Sequence, residues 1–352
     1  MQTITMSHQN DGEPVQEKKP KAVALLSGGL DSSLAVKMMI EEGIEIEAVA
    51  IKTPFCDFDC GKGCGHRVRE VADELGIKLK TVYFGEEYIR MLKNPKYGYG
   101  SGMNPCIDCR GMMYNVAKEH MEKTEADFVV TGEVLFQRPM SQNNRALHII
   151  EKETNMEGVV LRPLSAKHLP PTDAEKTGLI KRENMGDIKG RSRKGQLALA
   201  KRFGISNPPN AAGGCLLTDP SFSKRVKDIM DHCDDDIPTL NDIELLKVGR
   251  HFRVAPDAKL VVGRNKDENE VINALVRQDD IVIEVKDYVG PTCLLRCKKY
   301  DHELLARCAA VALRYSDAPR DGESKVSIAI GGNKSEFTAL PGDTSAIEAM
   351  RI

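Results

Sequence analysis

The sequence predicts an α/β protein: a doubly wound parallel sheet followed by a smaller C-terminal α+β domain. Three observations carry this. Short apolar runs alternate with helix-like stretches through residue 131. The first run, Ala22–Leu26, ends in a Ser-Gly-Gly turn that opens into a helix. A second alternation of apolar runs and turns begins after Asp234-Asp235-Asp236-Ile237-Pro238. Strands alternating with helices favour parallel βαβ units, and a loop after the first strand lies at the ligand-binding edge of such a sheet.

Taken in order, 22–26, 46–52, 79–84 and 127–131 read as buried strands. The stretches 32–42, 66–75 and 110–123 read as the helices between them. Residues 133–180 are rich in Pro and turn formers, and 174–205 read as helical. The Gly204–Gly214 segment reads as a loop that delivers Cys215. Beyond the boundary, 243–254 and 259–265 read as strand-like, 267–276 as a short helix, 281–285 as a strand, and 301–315 as an apolar helix. Gly290-Pro291 marks a turn before a strand-like TCLLRC, and 324–352 is expected to add strands. The domains are then a disordered tail at 1–20, a first domain at 21–235 and a second at 240–352.

Composition sets outer limits. The chain has 352 residues, 41% of them hydrophobic and 29% charged, with a formal net charge of −2. No apolar run approaches the roughly 20 residues of a membrane span. The N-terminal stretch lacks the apolar core of a signal peptide. No membrane association and a cytoplasmic location are expected. A nucleic-acid partner would need a local basic patch. Ten cysteines without a secretion signal point to thiol or metal chemistry rather than structural disulfides.

The turn Ser27-Gly28-Gly29-Leu30-Asp31-Ser32-Ser33 is the most specific motif. Glycines let the backbone approach a ligand closely, and the helix that follows points its free N–H groups and positive end at an anion. The pattern is neither a Walker A loop nor a dinucleotide fingerprint. It resembles the PP-loop of the ATP pyrophosphatase superfamily, whose HUP-like fold is the doubly wound sheet expected here. That resemblance implies an ATP pyrophosphate cradle at Ser27, Gly28, Gly29, Ser32 and Ser33, with Asp31 near Mg²⁺.

Cys106-Ile107-Asp108-Cys109 is a Cys-x-x-Cys at the start of a helix, a place that lowers thiol pKa. Alone it fits half a zinc site, a redox pair or part of an iron–sulfur cluster. Cys215, in Gly-Gly-Cys-Leu-Leu-Thr-Asp-Pro, would by itself be a small buried residue. With TGEVLFQRPMSQ (131–142), LRPLSAKHLPPT (161–172) and GRSRKGQLALAKRFGI (190–205), these segments resemble the thiolation domain of 4-thiouridine and 2-thiouridine synthases. The similarity covers about 22–225, in a thiouridylate transferase-like subgroup. It implies a 4Fe–4S cluster on Cys106, Cys109 and Cys215, or a persulfide/disulfide pair. Asp31, Cys109 and Cys215 are then the catalytic residues, and Gly132, Glu133, Gln137 and Arg138 line the cleft, with Gly132 at the ATP. Cys56, Cys60, Cys64 and His66 form a dense Cys-x3-Cys-x3-Cys-x-His that stays unassigned.

Residues 249–316 resemble the NFACT-R RNA-binding domain. Between 181 and 202, eight basic residues face only Glu183 and Asp187. They are either a solvated helix face or an RNA contact through Arg191, Arg193 and Lys194, with Arg264 added from the C-terminal unit. A THUMP domain and a rhodanese domain are expected to be absent. The implied activity is an ATP-dependent tRNA sulfurtransferase supplied by sulfide or a cysteine desulfurase or persulfide carrier, with a homodimer allowed for. The rivals are a sulfur-inserting enzyme acting on a small-molecule cofactor precursor, an amidotransferase-like ligase, and an RNA-binding adaptor built on an inactive ATPase.

Overall fold

In the computed structural model, residues 19–56, 64–205, 215–233 and 236–352 are described, without the side chains of 64–66. The expected N-terminal tail, Cys60, the side chains of Cys64 and His66, and the Gly213-Gly214 approach to Cys215 lie outside the described residues.

The first unit is a five-stranded parallel sheet in the order β3-β2-β1-β4-β5. Its strands are β1 (Lys21–Leu25), β2 (Glu45–Lys52), β3 (Lys78–Tyr83), β4 (Phe128–Thr131) and β5 (Val160–Leu161). The helices are α1 (Leu30–Glu41), α2 (Cys64–Leu75), α3 (Glu86–Lys93), α4 (Cys106–Thr124), α5 (Asn144–Thr154), α6 (Asp173–Lys176), α7 (Lys194–Arg202) and α8 (Pro220–Asp231). Side chains alternate across β1, so it feeds two cores. Ala22, Ala24 and Leu26 pack with α1 residues such as Leu34 and with Ala200 of α7. Val23 packs with Tyr114 of α4 and Ile150 of α5 on the other face. Burial on both faces is why these strands read as continuous apolar runs. The strand order reverses between β1 and β4, which places the cleft at their C-terminal ends.

The second unit is a six-stranded antiparallel sheet, β11-β10-β8-β9-β7-β6. Its strands are β6 (Arg250–Ala255), β7 (Ala258–Val262), β8 (Ile281–Val285), β9 (Thr292–Cys297), β10 (Ser324–Ile330) and β11 (Asn333–Ala339). One face packs on α11 (His302–Arg314) and α12 (Thr344–Ala349). The other packs on α9 (Leu240–Leu246) and α10 (Lys266–Ala274).

Several expectations are corrected. The stretch 243–254 is not one strand. A capping box of Thr239 and Asp242 starts α9, and Gly249 at φ +75° turns the chain into β6. The basic stretch 174–205 is not one helix. Gly178 and Gly190 at φ +81° and +82° separate α6, a 3₁₀ turn at Arg182–Asn184, and α7. Helix α5 falls where a loop-rich stretch was expected, and α3, with Tyr88, Ile89 and Leu92 as a buried stripe, lies in a stretch the sequence reading left unassigned.

The two units meet through α8 and α9. Ile243 and Leu246 join the core around Phe222 and Val226, while Leu245 packs under Val261 and Leu294. Beside them the Asp228 carboxylate accepts Arg253 Nη2 at 2.6 Å and Lys259 Nζ at 3.1 Å. Burial pushes the Lys259 ammonium down to about 8 against that pull from Asp228.

His251 gives this unit a pH signature. The ring is 1% exposed; Nε2 donates to the Val248 carbonyl oxygen at 2.8 Å, and Nδ1 is buried without a partner. Burial, reinforced by Lys259 and Arg225, holds its pKa well below the ordinary value of 6.5. The unfolded chain therefore takes up a proton that the folded chain refuses. Stability is full above about pH 6.5 and falls as pH drops below it, by up to about 1.4 kcal/mol per pH unit. Thermal unfolding at pH 7.5 and 5.5 should show the wild type losing more than a His251→Gln variant. Equal losses would contradict this account.

Candidate active site and the relatives of its two halves

The phosphate loop is built from β1, two glycines and the first turn of α1. Gly28 takes φ +71°, and a Cβ there would sit 3.0 Å from the Val68 amide nitrogen of α2. Ser32 Oγ lies 3.0 Å from the Gly29 carbonyl oxygen and 3.1 Å from Ser27 Oγ; Ser33 Oγ donates to the same carbonyl at 2.9 Å. Gly29 caps α1 without a side-chain hydrogen bond. The first N–H groups of the helix are thus left to an incoming anion. Gly132, just past β4, closes the pocket: a Cβ on it would lie 2.4 Å from the Ser32 nitrogen and 2.6 Å from the Asp31 carbonyl carbon. Only glycine fits there. Ser27, Gly28, Gly29, Asp31, Ser32, Ser33 and Gly132 therefore lie together.

Asp31 Oδ2 accepts Gln137 Nε2 at 3.0 Å, while Oδ1 is buried with no partner. An orphaned, buried carboxylate oxygen beside a phosphate loop suits a hard cation such as Mg²⁺.

The Cys-x-x-Cys and Cys215 meet through main-chain contacts. Met103 N–H donates to the Leu217 carbonyl oxygen at 3.0 Å, and Ser223 Oγ donates to that carbonyl at 2.6 Å. Gly102, at φ +62°, lies so close that a Cβ would be 2.5 Å from the same oxygen. The Asp108 carboxylate accepts the Lys96 and Tyr97 amides at 2.9 and 3.1 Å, tying the preceding loop to α4. Cys109 and Cys215 then share one apolar cluster with Tyr88, Phe55 and Phe222.

The thiols are not activated as the helix N-terminus alone would suggest. Burial pushes Cys106 and Cys109 up from the usual thiol value and Cys215 up to about 11. Desolvation outweighs the helix end and Arg110. Cys106, Cys109 and Cys56 all raise the Cys215 thiol, which puts Cys56 within electrostatic reach of the group. Sequence reasoning left Cys56 unassigned. Its density with Cys60 and Cys64 was the available signal, but the spacing fits no known ligand pattern.

Among the described residues, no three His, Cys, Asp or Glu side chains converge on a point where one metal ion could sit. A 4Fe–4S cluster takes each thiolate on a separate iron, so spaced rather than convergent thiols would be its donor set. Cys106, Cys109 and Cys215 would hold it.

Glu133 joins the two halves of the site. It is 2% exposed, and its Oε2 accepts Tyr114 Oη at 2.5 Å, Thr131 Oγ1 at 3.1 Å and Arg162 Nε at 3.1 Å; Arg110 Nε lies 3.6 Å from Oε1. Burial alone would raise the carboxyl, but Arg162 and Arg110 overcome it and hold it below the usual carboxylate value. Glu133 thus pairs with distant arginines rather than with Arg138 in its own loop. Arg138 instead lies near enough to Cys106 to lower its thiol.

The basic residues are less concentrated than expected. Arg191 and Lys194 are exposed, ahead of and at the start of α7, and Arg193 is half-buried. Arg264 is held by Glu268, with Nε 2.8 Å from Oε1, which neutralises much of its charge.

Residues 17–168 match the model of the family described as thiamine biosynthesis protein (ThiI). Residues 249–348 match the NFACT protein RNA binding domain. The two matched segments fall one in each of the units described above. Over 148 residues it is 31% identical to a probable tRNA sulfurtransferase of Thermoanaerobacter sp., covering 41% of this chain and 36% of that protein. Over 145 residues it is 28% identical to the tRNA-specific 2-thiouridylase MnmA of Symbiobacterium thermophilum, covering 37% and 36%. The chain thus spans only about a third of the length of these curated relatives. Among solved structures, a U34-tRNA thiolase, NcsA from Methanococcus maripaludis with its [4Fe-4S] cluster, aligns at TM-score 0.35 and 17% identity, over 67% of this chain and 72% of that one. No helix among the described residues is long and apolar enough to cross a membrane.

Proposed function

We propose that this protein is an ATP-dependent tRNA sulfurtransferase that exchanges a uridine carbonyl oxygen for sulfur. The reading is supported by an intact Ser-Gly-Gly loop beside Gly132 and, next to Glu133 and Arg110, by Cys109 and Cys215 in one apolar cluster with Cys106 within electrostatic reach of both.

The uridine oxygen attacks the α-phosphate of ATP, and pyrophosphate leaves into the Gly28–Ser33 cradle. Its charge is met by the N–H groups at the start of α1, with Asp31 Oδ1 holding the cation. AMP on the oxygen turns a poor leaving group into a good one. A sulfur nucleophile held among Cys106, Cys109 and Cys215 then attacks the ring carbon and expels AMP. A cluster on these thiols would supply an iron without a protein ligand, where hydrosulfide can bind. The target base leaves the tRNA stack to reach the cleft, which costs a few kcal/mol. Arg191, Arg193 and Lys194 supply phosphate contacts, and the C-terminal unit supplies further RNA surface. The sulfur donor is sulfide or a persulfide carrier.

Incubated with ATP and unmodified tRNA, the protein should release AMP and pyrophosphate. Asp31→Asn should abolish release while keeping tRNA affinity within about twofold, because the amide oxygen can still accept Gln137 Nε2 while the charge that would hold the cation is lost. Release of ADP and orthophosphate would overturn the reading. Anaerobically purified protein should also carry about four irons per chain, lost in Cys215→Ala. Iron-free protein with full thiolation activity would assign sulfur transfer to a persulfide on Cys109 or Cys215 instead.

A further inference from the structure

Phe136 stands out in the loop between Gly132 and Asn143. It holds φ +62°, a left-handed conformation unusual for any bulky side chain. Such strain persists only where the surroundings over-determine it. Here they do. Phe136 N–H donates to the Gln142 carbonyl at 2.6 Å, Gln137 N–H to the Val134 carbonyl at 3.1 Å, and Gln142 N–H to the Arg138 carbonyl at 2.9 Å. The Gln142 side chain, 3% exposed, accepts the Arg138 amide at 3.0 Å. Yet the ring this bracing presents is 48% exposed. A well-braced loop that strains its backbone to hold an aromatic ring in water has gained nothing from that ring in the folded core.

The residues that flank Phe136 in its loop indicate its use. Leu135 bridges to Lys189 and accepts the Gly190 amide at 2.7 Å, so Phe136 starts beside the basic rim of Arg191, Arg193 and Lys194. On its other side Gln137 grips Asp31 of the phosphate loop. Arg138 reaches the field of Cys106. Met140, also exposed, lies against Gly100 in the loop leading to the cysteines. An exposed aromatic ring, on a loop whose flanking residues touch a basic segment on one side and the Asp31 loop on the other, has the features with which proteins stack an unpaired base.

We propose that Phe136 is the platform on which the target base of the RNA stacks once it leaves its helix, with the rim at 191–194 taking the flanking phosphates. This rests on the tRNA thiolation reading and adds the residue that positions the substrate base.

Phe136→Gly is the test, because glycine takes φ > 0 freely and leaves the loop path intact. Its melting temperature and ATP affinity should be equal to or above those of wild type. Affinity for unmodified tRNA and kcat/KM for thiolation should fall by about 5- to 150-fold, the loss of one base–aromatic stack. Phe136→Trp should retain both. Unchanged tRNA affinity and kcat/KM in Phe136→Gly would overturn the proposal, as would a parallel loss of ATP affinity, which would mark the ring as a structural support. A wild-type protein that binds no tRNA would instead overturn the thiolation reading beneath it.

Discussion

The buried carboxylate of Glu133 is the constraint on which the site depends. A charge out of water is tolerated only when it is paired and hydrogen-bonded, and Glu133 has Arg162, Arg110, Tyr114 and Thr131 around it. Its partners come from different elements. Thr131 ends β4, Arg162 follows β5, and Arg110 and Tyr114 lie on α4. Removing one partner from such a buried pair typically costs about 3–5 kcal/mol, because the other charge is left stranded. The network therefore fixes the first turns of α4, and with them Cys106 and Cys109, relative to Gly132, the residue before Glu133, which packs on Asp31 and Ser32 of the phosphate loop.

This arrangement reconciles two chemistries with opposite needs. The phosphate loop needs open N–H groups and a route for water and cation, and Gly29 leaves the start of α1 uncapped. The thiols sit half-buried, Cys109 and Cys215 beside Tyr88, Phe55 and Phe222, and that partial desolvation favours their protonated form. A metal or an activated sulfur species would reverse that protonation locally, since thiolate is the ligating and attacking form. Helix α9 links the two units: Ile243 and Leu246 join the cluster that holds Cys109 and Cys215, and Leu245 packs under the antiparallel sheet.

Much of the fold was legible. The parallel strands showed because burial on both faces makes them continuous apolar runs, and Ser27–Ser33 showed because phosphate binding needs those residue types at that spacing. Helix α9 was missed because Ile243, Leu245 and Leu246 alternate enough to mimic a strand; only the Thr239-x-x-Asp242 capping box marked it. The basic stretch was overextended because charge composition gives no phase, and Gly178 and Gly190 were read through. At the site, the phosphate loop and the three cysteines were named in advance. The raised thiols were not, because a helix N-terminus is visible in sequence while burial by residues distant along the chain is not. The Glu133–Arg162 pair, 29 residues apart, had no local signal at all.

The central claim is that one cleft joins adenylation to sulfur insertion on a tRNA uridine. Nucleoside mass spectrometry of total tRNA from cells with and without this chain tests it most directly. The account predicts that one thiouridine species disappears without the chain and returns with the wild-type protein but not with Cys109→Ser. An unchanged set of thiolated nucleosides would contradict it.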